Sequence, residues 1–495
     1  MKICLATRHL NSSFTPLALL YLKAYLVAHT DVPADDVAIA EFPHKTTGEQ
    51  MAAALLGGGA DVIGLSCYVW NVEATLDAAA RVKAARPEVR IVLGGPEVGP
   101  RADSLLEAHP YIDAVVRSEG EVPFRDMVTC WRTGTGIADV AGISYRDEGR
   151  DEGRDGARVV ANREAEIVDD LNHLASPHFA GYVDHTDRIV CIETQRGCVF
   201  KCNFCFYNKD LSIRNRRFEL GRVKEEILFW LGQNIKELYL MDPVFNLNAA
   251  RAKDICRFIA EHNHRKIPVH TEVWAEFIDE EMAKLFKEAN FAFIEVGLQT
   301  TDTTTLGMVE RRLKMKPFLD GIRFLKENKL DFELQLIGGL PGETPESFRK
   351  SITFAASLAP PALSAFDLRI LPGTELWRKA AMYMIEYEPA PPYKVLSTGT
   401  MSADDIRHMR KVTNAVNLLW QSPTVRWLSR TSGQTYADIV DAWVARHSEA
   451  PAAPELRDAL PDFIDEYCTT KGIQPAFFRA SAAAEVIELR AQQPS

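Results

Sequence analysis

Cys198, Cys202 and Cys205 stand at CxxxCxxC spacing in the run Gln195-Arg-Gly-Cys-Val-Phe-Lys-Cys-Asn-Phe-Cys205. Three thiolates on one tight loop suit a soft metal site, and a fourth ligand must come from elsewhere. Two plainer readings stand beside this one: a zinc knuckle, and three unrelated buried cysteines. A knuckle needs a further Cys or His close by, yet none follows until Cys256. The other six of the nine cysteines are spread thinly, which points to reduced thiols rather than a disulfide framework.

The elements that must position this loop follow βα grammar. A strand at Ile189–Thr194 leads into it, and strand patterns recur at Glu237–Met241, Pro268–Val273, Phe291–Gly297, Phe332–Ile337 and Ser364–Ile370. Amphipathic helical patterns separate them, so the spacing predicts six βα units forming a barrel or part of one. Ahead of this series lies a second alternation of short β-branched runs and helices, with strands at Lys2–Ala6, Asp61–Ser66 and Ile91–Leu93. That pattern predicts a Rossmann-like parallel sheet. Its ligand crevice should lie at the strand carboxyl ends, in the loops Ser66–Asn71, Gly94–Gly99 and Arg117–Val122.

Between the two series, Gly142–Asp170 is hydrophilic, with Arg-Asp-Glu-Gly at 146–149 repeated at 150–153; it reads as a solvated hairpin tip in a linker. After Pro389, Pro391 and Pro392 the pattern turns helical, with Ser402, Asp404 and Asp405 capping a helix through Trp420 and another over Tyr436–Arg446. Trp420, Trp427 and Trp443 there fit a core better than a substrate pocket. The expected division is 1–135, a linker hairpin at 136–175, 176–388, and a helical region at 389–495.

A net charge of −11 over 495 residues argues against nucleic acid or an anionic membrane held by bulk electrostatics. No apolar run is long enough to span a membrane, and the N-terminus lacks the pattern of a secretory signal, so a cytoplasmic protein is expected.

The cysteine loop, with Phe204 immediately before its last cysteine, resembles that of the radical S-adenosylmethionine (SAM) enzymes. The resemblance implies that Cys198, Cys202 and Cys205 hold a 4Fe-4S cluster whose unique iron is chelated by SAM. Leu336-Ile-Gly-Gly-Leu-Pro-Gly-Glu-Thr344 resembles the family's Gly-rich strand end, implying SAM contacts at Gly338, Gly339 and Pro341. Met241–Asn246 and Ile294–Gln299 resemble its second and fourth strand ends. By the same resemblance Asp242, Glu272, Glu295 and Gln299 face SAM, as does Leu371 in Leu371-Pro-Gly-Thr-Glu-Leu376. Each of these could instead be a barrel-mouth residue holding loops together, or, around Leu371, a turn before a capped helix.

The N-terminal region is similar to the cobalamin-binding domain that precedes a large radical SAM subclass, the class that includes class B methyltransferases. Ser66, Tyr68, Val69, Trp70, Asn71, Gly94, Gly95, Pro96, Glu97, Glu119 and Gly120 are the positions the resemblance assigns to cobalamin. The Asp-x-His-x-x-Gly motif that gives cobalt an imidazole is absent, so no histidine lower ligand is expected. Ser13–Leu19 also departs from the His-Ser-Asn-Leu-Ala-Leu run common in the group.

The resemblance implies an α/β enzyme of three parts: cobalamin-binding domain, radical SAM partial (β/α)6 barrel and helical C-terminal domain. It implies C-methylation of an unactivated carbon of a small molecule, in natural product biosynthesis, through a 5'-deoxyadenosyl radical and methylcobalamin. An external electron donor such as flavodoxin or ferredoxin would be required. A non-methylating cyclase or rearrangement enzyme, and more remotely a non-catalytic cobalamin or redox sensor, are the rival readings.

Overall fold

The computed structural model describes residues 1–147, 158–207, 215–447 and 458–473. Its first unit is a seven-stranded sheet of order β2-β1-β3-β4-β5-β6-β7. The strands are β1 Ile3–Arg8, β2 Val37–Phe42, β3 Val62–Ser66, β4 Arg90–Gly94, β5 Ala114–Val116, β6 Ile143–Asp147 and β7 Arg158–Ala161. Strands β1 to β5 are parallel, and β1, β3 and β5 are nearly continuous apolar runs because helices cover both faces. The stretch expected as a linker hairpin does pair antiparallel, but as part of the first sheet rather than as a separate linker. Strands β6 and β7 add antiparallel to β5 and extend the first sheet, since Ile143 and Tyr145 have a core to enter there. Only Arg146 and Asp147 of the tandem repeat fall within the described residues.

The second unit is a six-stranded, all-parallel sheet of order β15-β14-β13-β12-β11-β8. It comprises β8 Ile189–Ile192, β11 Glu237–Leu240, β12 Val269–Val273, β13 Phe291–Gln299, β14 Phe332–Gly338 and β15 Ala362–Asp367. A two-residue ribbon, β9 Gln195–Arg196 with β10 Arg216–Arg217, sits beside it. In β12 and β14 buried apolar residues alternate with half-buried His270, Glu272, Glu333 and Gln335. A closed barrel fills its lumen with branched apolar side chains; this open one carries polar groups on its concave face.

Each open edge of this sheet is covered by a flanking region. On the β8 side, Ser13–Thr15 run parallel to the strand: Ile189 N donates to Ser13 O (2.8 Å) and Thr15 N to Ile189 O (3.0 Å). On the β15 side, Asn417 brackets Ala365, accepting from its N at 2.7 Å and donating to its O at 2.9 Å. Asn417 lies on helix Ala403–Leu419, which begins with a reciprocal Ser402–Asp405 capping box. The proline-rich stretch expected as a boundary is the tip of an antiparallel pair, β16 Glu386–Tyr387 with β17 Val395–Ser397. Trp420 and Trp443 are buried in the core. Among the described residues no helix is long and apolar enough to cross a membrane.

Candidate active site

The chain leaves β8 at Ile192 and is turned into the cysteine loop by Asp242, which lies fully enclosed just past β11. Its carboxylate accepts from Thr194 N (2.8 Å), Thr194 Oγ1 (2.5 Å) and Gln195 N (3.2 Å). Burial pushes Asp242 up to about 7, and these donors pull in the opposite direction. Both carboxylate oxygens are therefore engaged, and Asp242 is an anchor of the loop rather than the SAM contact expected. A second anchor is Asn203, between the last two cysteines: its N donates to Val309 O (3.1 Å), its Nδ2 to Met308 O (2.8 Å), and its O accepts from Leu376 N (2.8 Å).

The three cysteines open onto a cleft at the carboxyl ends of the strands. Phe204, Glu272, Glu295 and Gln299 line the same cleft. Burial pushes the Cys205 thiol up to about 12 and raises Cys198, so metal-free thiols there stay protonated and iron would have to displace those protons. Among the described residues no three His, Cys, Asp or Glu side chains gather around one ion position. Three thiols lining one cavity suit a polynuclear cluster whose irons each take one thiolate. Gln299, held at φ 68, has its Oε1 buried without a partner. That orphan acceptor, beside the Glu272 and Glu295 carboxyls, fits a cationic, amine-bearing ligand such as SAM.

A polar network runs across the strands beneath the cleft. Tyr239 OH donates to Glu272 Oε1 at 3.0 Å. Burial, together with the Glu295 charge, pushes Glu272 up to about 7. His270 lies between Glu237 (3.1 Å) and Glu295 (2.8 Å). Burial alone would lower His270, but these carboxylates outweigh it and raise it to about 9, so the ring is an imidazolium near neutrality. Burial opposes the ionisation of Glu295, yet its bonds from His270 and Gln335 (2.7 Å) hold it below the usual carboxylate range.

One wall escaped the sequence reading. Phe200 stacks on Trp274 with ring centroids 3.7 Å apart, and the Arg311 guanidinium lies 4.5 Å over the same indole. Arg311 also reaches Cys202 Sγ at 3.7 Å. Trp274 was findable, because the two-residue strand period puts it on the face of Glu272. Arg311 carried no such signal, coming from a loop beyond β13.

Gly338, Gly339, Pro341 and Leu371 are not among the cleft residues. A Cβ on Gly338 would meet Met409 Sδ at 2.7 Å and Phe348 Cζ at 3.0 Å, and Gly339 has φ 90 with Met409 Cε 3.2 Å from its would-be Cβ. The glycine pair thus admits helix Ala403–Leu419 against the strand end, and buried Pro341 follows in the turn. Leu371 O accepts from Thr374 N (3.2 Å) and Oγ1 (2.8 Å), and Thr374 in turn caps helix Glu375–Arg378 by accepting from Trp377 N at 3.1 Å. That helix supplies the Leu376 N that holds Asn203, so Leu371 reaches the site only through the cysteine loop's support.

At the first sheet's carboxyl end, Asn71 is buried and ties the loop Ser66–Asn71 together. It donates to Ser66 O and Arg8 O (both 3.1 Å) and accepts from Tyr68 N (2.8 Å). Tyr68 and Trp70 stack at 4.4 Å with rings 6° from parallel, and Val69 is half-buried between them. Gly95 has φ 115 and approaches Cys67 O so closely that a Cβ would lie 2.5 Å away; Gly94 and Pro96 flank it, half-buried. An aromatic pair beside a glycine turn fits a flat macrocycle such as cobalamin.

Two expected contacts are committed elsewhere. Glu97 is buried, paired with Arg101 at 2.5 Å and accepting from Tyr393 OH. Glu119 is paired with Arg216. Gly120 packs near Leu22, 3.1 Å from its would-be Cβ. His9, at the end of β1, is bonded to Glu41 at 2.6 Å. The two loop sets come near one another: Tyr207 lines the cleft, burial raises its phenol, and the neighbouring Glu193 and Tyr68 add to that rise.

The sequence model of the B12 binding domain matches residues 3–128, and that of the Radical SAM superfamily matches 192–355. The chain is 28% identical, over 64% of its length and 48% of the relative's, to the cobalamin-dependent radical SAM methyltransferase TokK of Streptomyces tokunonensis. It is also 28% identical to the 2-(S-pantetheinyl)-carbapenam-3-carboxylate methyltransferase of Streptantibioticus cattleyicolor, over 61% of this chain and 46% of that one. The chain thus spans about half the length of these two relatives. The radical SAM methyltransferase TsrM of Kitasatospora setae, solved with cobalamin and a [4Fe-4S] cluster, shares the fold at TM-score 0.64 and 18% identity, over 79% of this chain and 81% of that one. The chain thus carries a B12 binding domain followed by a Radical SAM superfamily domain, the arrangement of the cobalamin-dependent radical SAM proteins it is similar to, and its cofactors are a 4Fe-4S cluster, SAM and cobalamin.

Proposed function

We propose that the protein is a C-methyltransferase acting on an unactivated carbon of a small molecule. The observation that carries this reading is the nearness of the two loop sets: Tyr207, which lines the cysteine cleft, lies close enough to Tyr68 of the loop Ser66–Asn71 for their charges to interact. Two relatives bear methyltransferase names, which supports methylation over cyclisation. When bound, the cluster with SAM supplies a 5'-deoxyadenosyl radical and methylcobalamin supplies the methyl group.

The chain's own residues bind, orient and exclude water. Cys198, Cys202 and Cys205 act as thiolate ligands on a loop that Asp242 and Asn203 hold in place. Gln299 Oε1 and the Glu272 carboxyl accept hydrogen bonds from the amine-bearing ligand. The Phe200–Trp274 stack closes one side against solvent, and Arg311 places a positive charge beside the Cys202 sulfur. Glu272, near 7 and held by Tyr239, can keep or release a proton in the cleft at neutral pH. A one-electron donor of the flavodoxin or ferredoxin kind and a cytoplasmic setting complete the reading, and all nine cysteines are free thiols.

The test needs no substrate. The full chain is reconstituted without air with iron, sulfide and hydroxocobalamin, reduced, and given SAM carrying a deuterated methyl. The expected result is labelled methylcobalamin together with 5'-deoxyadenosine. Stoichiometric cofactors with no labelled methylcobalamin would overturn methylation and leave rearrangement chemistry in its place.

A further inference from the structure

The loop that carries the cysteines has a neck, and the other domain grips it. Strands β9 and β10 form that neck, with Arg196 and Arg216 directly opposite one another across the ribbon. Both guanidinium groups reach out of the barrel to the loop after β5. Arg216 makes a two-pronged pair with Glu119, one arm at 3.0 Å, and Arg196 pairs with Glu121 at 2.8 Å. Arg196 Nε also donates to Glu193 Oε2 at 2.9 Å, and its guanidinium lies 4.8 Å over the Tyr21 ring. Arg216 NH1 further donates to Val168 O at 2.7 Å.

This cluster is not a set of surface ion pairs. The Arg196, Arg216 and Glu121 side chains are 11%, 5% and 8% exposed, and Glu119, at the rim, is 32% exposed. Long side chains held that deeply, with several geometrically good partners each, are fixed in one arrangement, and removing one partner leaves its mate buried and unpaired. A loop with one free end can drift, but this loop is pinned at both strands of its base by carboxylates from one short stretch of the neighbouring domain. Glu119 was expected to contact cobalamin; its pairing with the ribbon gives it a different task.

We infer that Glu119, Glu121 and Glu193 with Arg196 and Arg216 form an interdomain clamp that sets the spacing between the B12-binding loops and the cysteine loop. Arg196 and Arg216 are positioning residues, acting on the cofactor sites through the backbone of the neck. The inference goes beyond the methyltransferase reading and uses from it only that the two loop sets carry the cofactors. A rigid spacing matters wherever two bound groups must meet across a crevice, because small displacements of reacting centres cost large factors in rate.

The test is amide hydrogen exchange on the full chain with its cluster reconstituted, read at Gln195–Cys198 and at Asn215–Phe218. Wild type is compared with Glu119→Gln/Glu121→Gln and, as a control, Glu281→Gln, which removes an exposed ion pair with Lys253 and Arg257. The double variant is expected to keep its iron while the neck exchanges about tenfold faster, with no change in the control. Saturating hydroxocobalamin should slow neck exchange in wild type and leave the double variant unaffected. Neck exchange equal to wild type in the double variant would overturn the clamp. Should the double variant fail to fold, Glu119→Asp, which keeps the charge and retracts it from Arg216, should move neck exchange the same way by a smaller factor; no movement would again overturn it. Wild type that binds no cobalamin would remove the cofactor reading, while the comparison of neck exchange between wild type and variant would still decide the clamp.

Discussion

At the residue scale, the cleft combines groups whose roles differ by environment rather than by type. Cys202 is the thiol whose sulfur faces a guanidinium, and Cys202→Ala removes one thiolate ligand while leaving the first domain untouched. The expected outcome, read by metal analysis of anaerobically reconstituted protein, is iron near background with cobalamin retained. His270 makes a separate prediction because its two carboxylate partners raise it from its ordinary 6.5 to about 9. A raised histidine contributes stability that is fully present below its unfolded value and is lost as pH rises through the folded one. Denaturant titrations of wild type and His270→Gln should therefore differ most below about pH 6.5. The two curves should converge by about pH 9, and a gap that stayed constant with pH would refute the imidazolium.

At the element scale, what was legible and what was not follows from how far the cause lies along the chain. The cysteine spacing, strand-to-loop order and helix caps are local, and Ser402 with Asp405 is the cap its residues announce. The hairpin of β6 and β7 was expected, but its joining the first sheet was not, because Ile143 and Tyr145 sit in a charged stretch and only the open edge of β5 takes them up. Gly338 and Gly339 were expected to contact SAM, whereas the group packed closely against both is Met409, some seventy residues on. That partner yields a prediction: Gly338→Ala forces a Cβ to 2.7 Å from Met409 Sδ and 3.0 Å from Phe348. Flexible Met409 can yield part of the overlap, so the expected cost in urea unfolding is about 1–3 kcal/mol. Met409→Ala in the same background should return part of it, which a mere loss of ligand contact at the glycine would not.

At the scale of the whole molecule, the barrel is not self-sufficient: residues from both neighbours complete its two open edges. The N-terminal side is held by Arg188, just before β8, whose guanidinium grips Glu41 of β2 through both arms at 2.9 and 2.6 Å and Phe14 O at 2.5 Å. Nothing in the sequence announces a pair 147 residues apart; it exists because Ser13–Thr15 must lie against β8. Burial works against the Glu41 charge, but Arg188 and His9 overcome it and hold the carboxyl down at about 2. A depressed carboxylate contributes stability that is present above its unfolded value and is lost as pH falls through the folded one. The seam should therefore be intact at neutrality and lose about 3 kcal/mol between roughly pH 4.5 and 2. Glu41→Gln should lower stability at pH 7 by a similar amount and flatten the acid limb of the wild-type curve over that window. Because Glu41 joins two domains, its loss should also split a single thermal unfolding transition, the first unit melting ahead of the barrel in scanning calorimetry. One unsplit transition in the variant, with an acid limb parallel to wild type, would mean that the Ser13–Thr15 pairing alone holds the domains together.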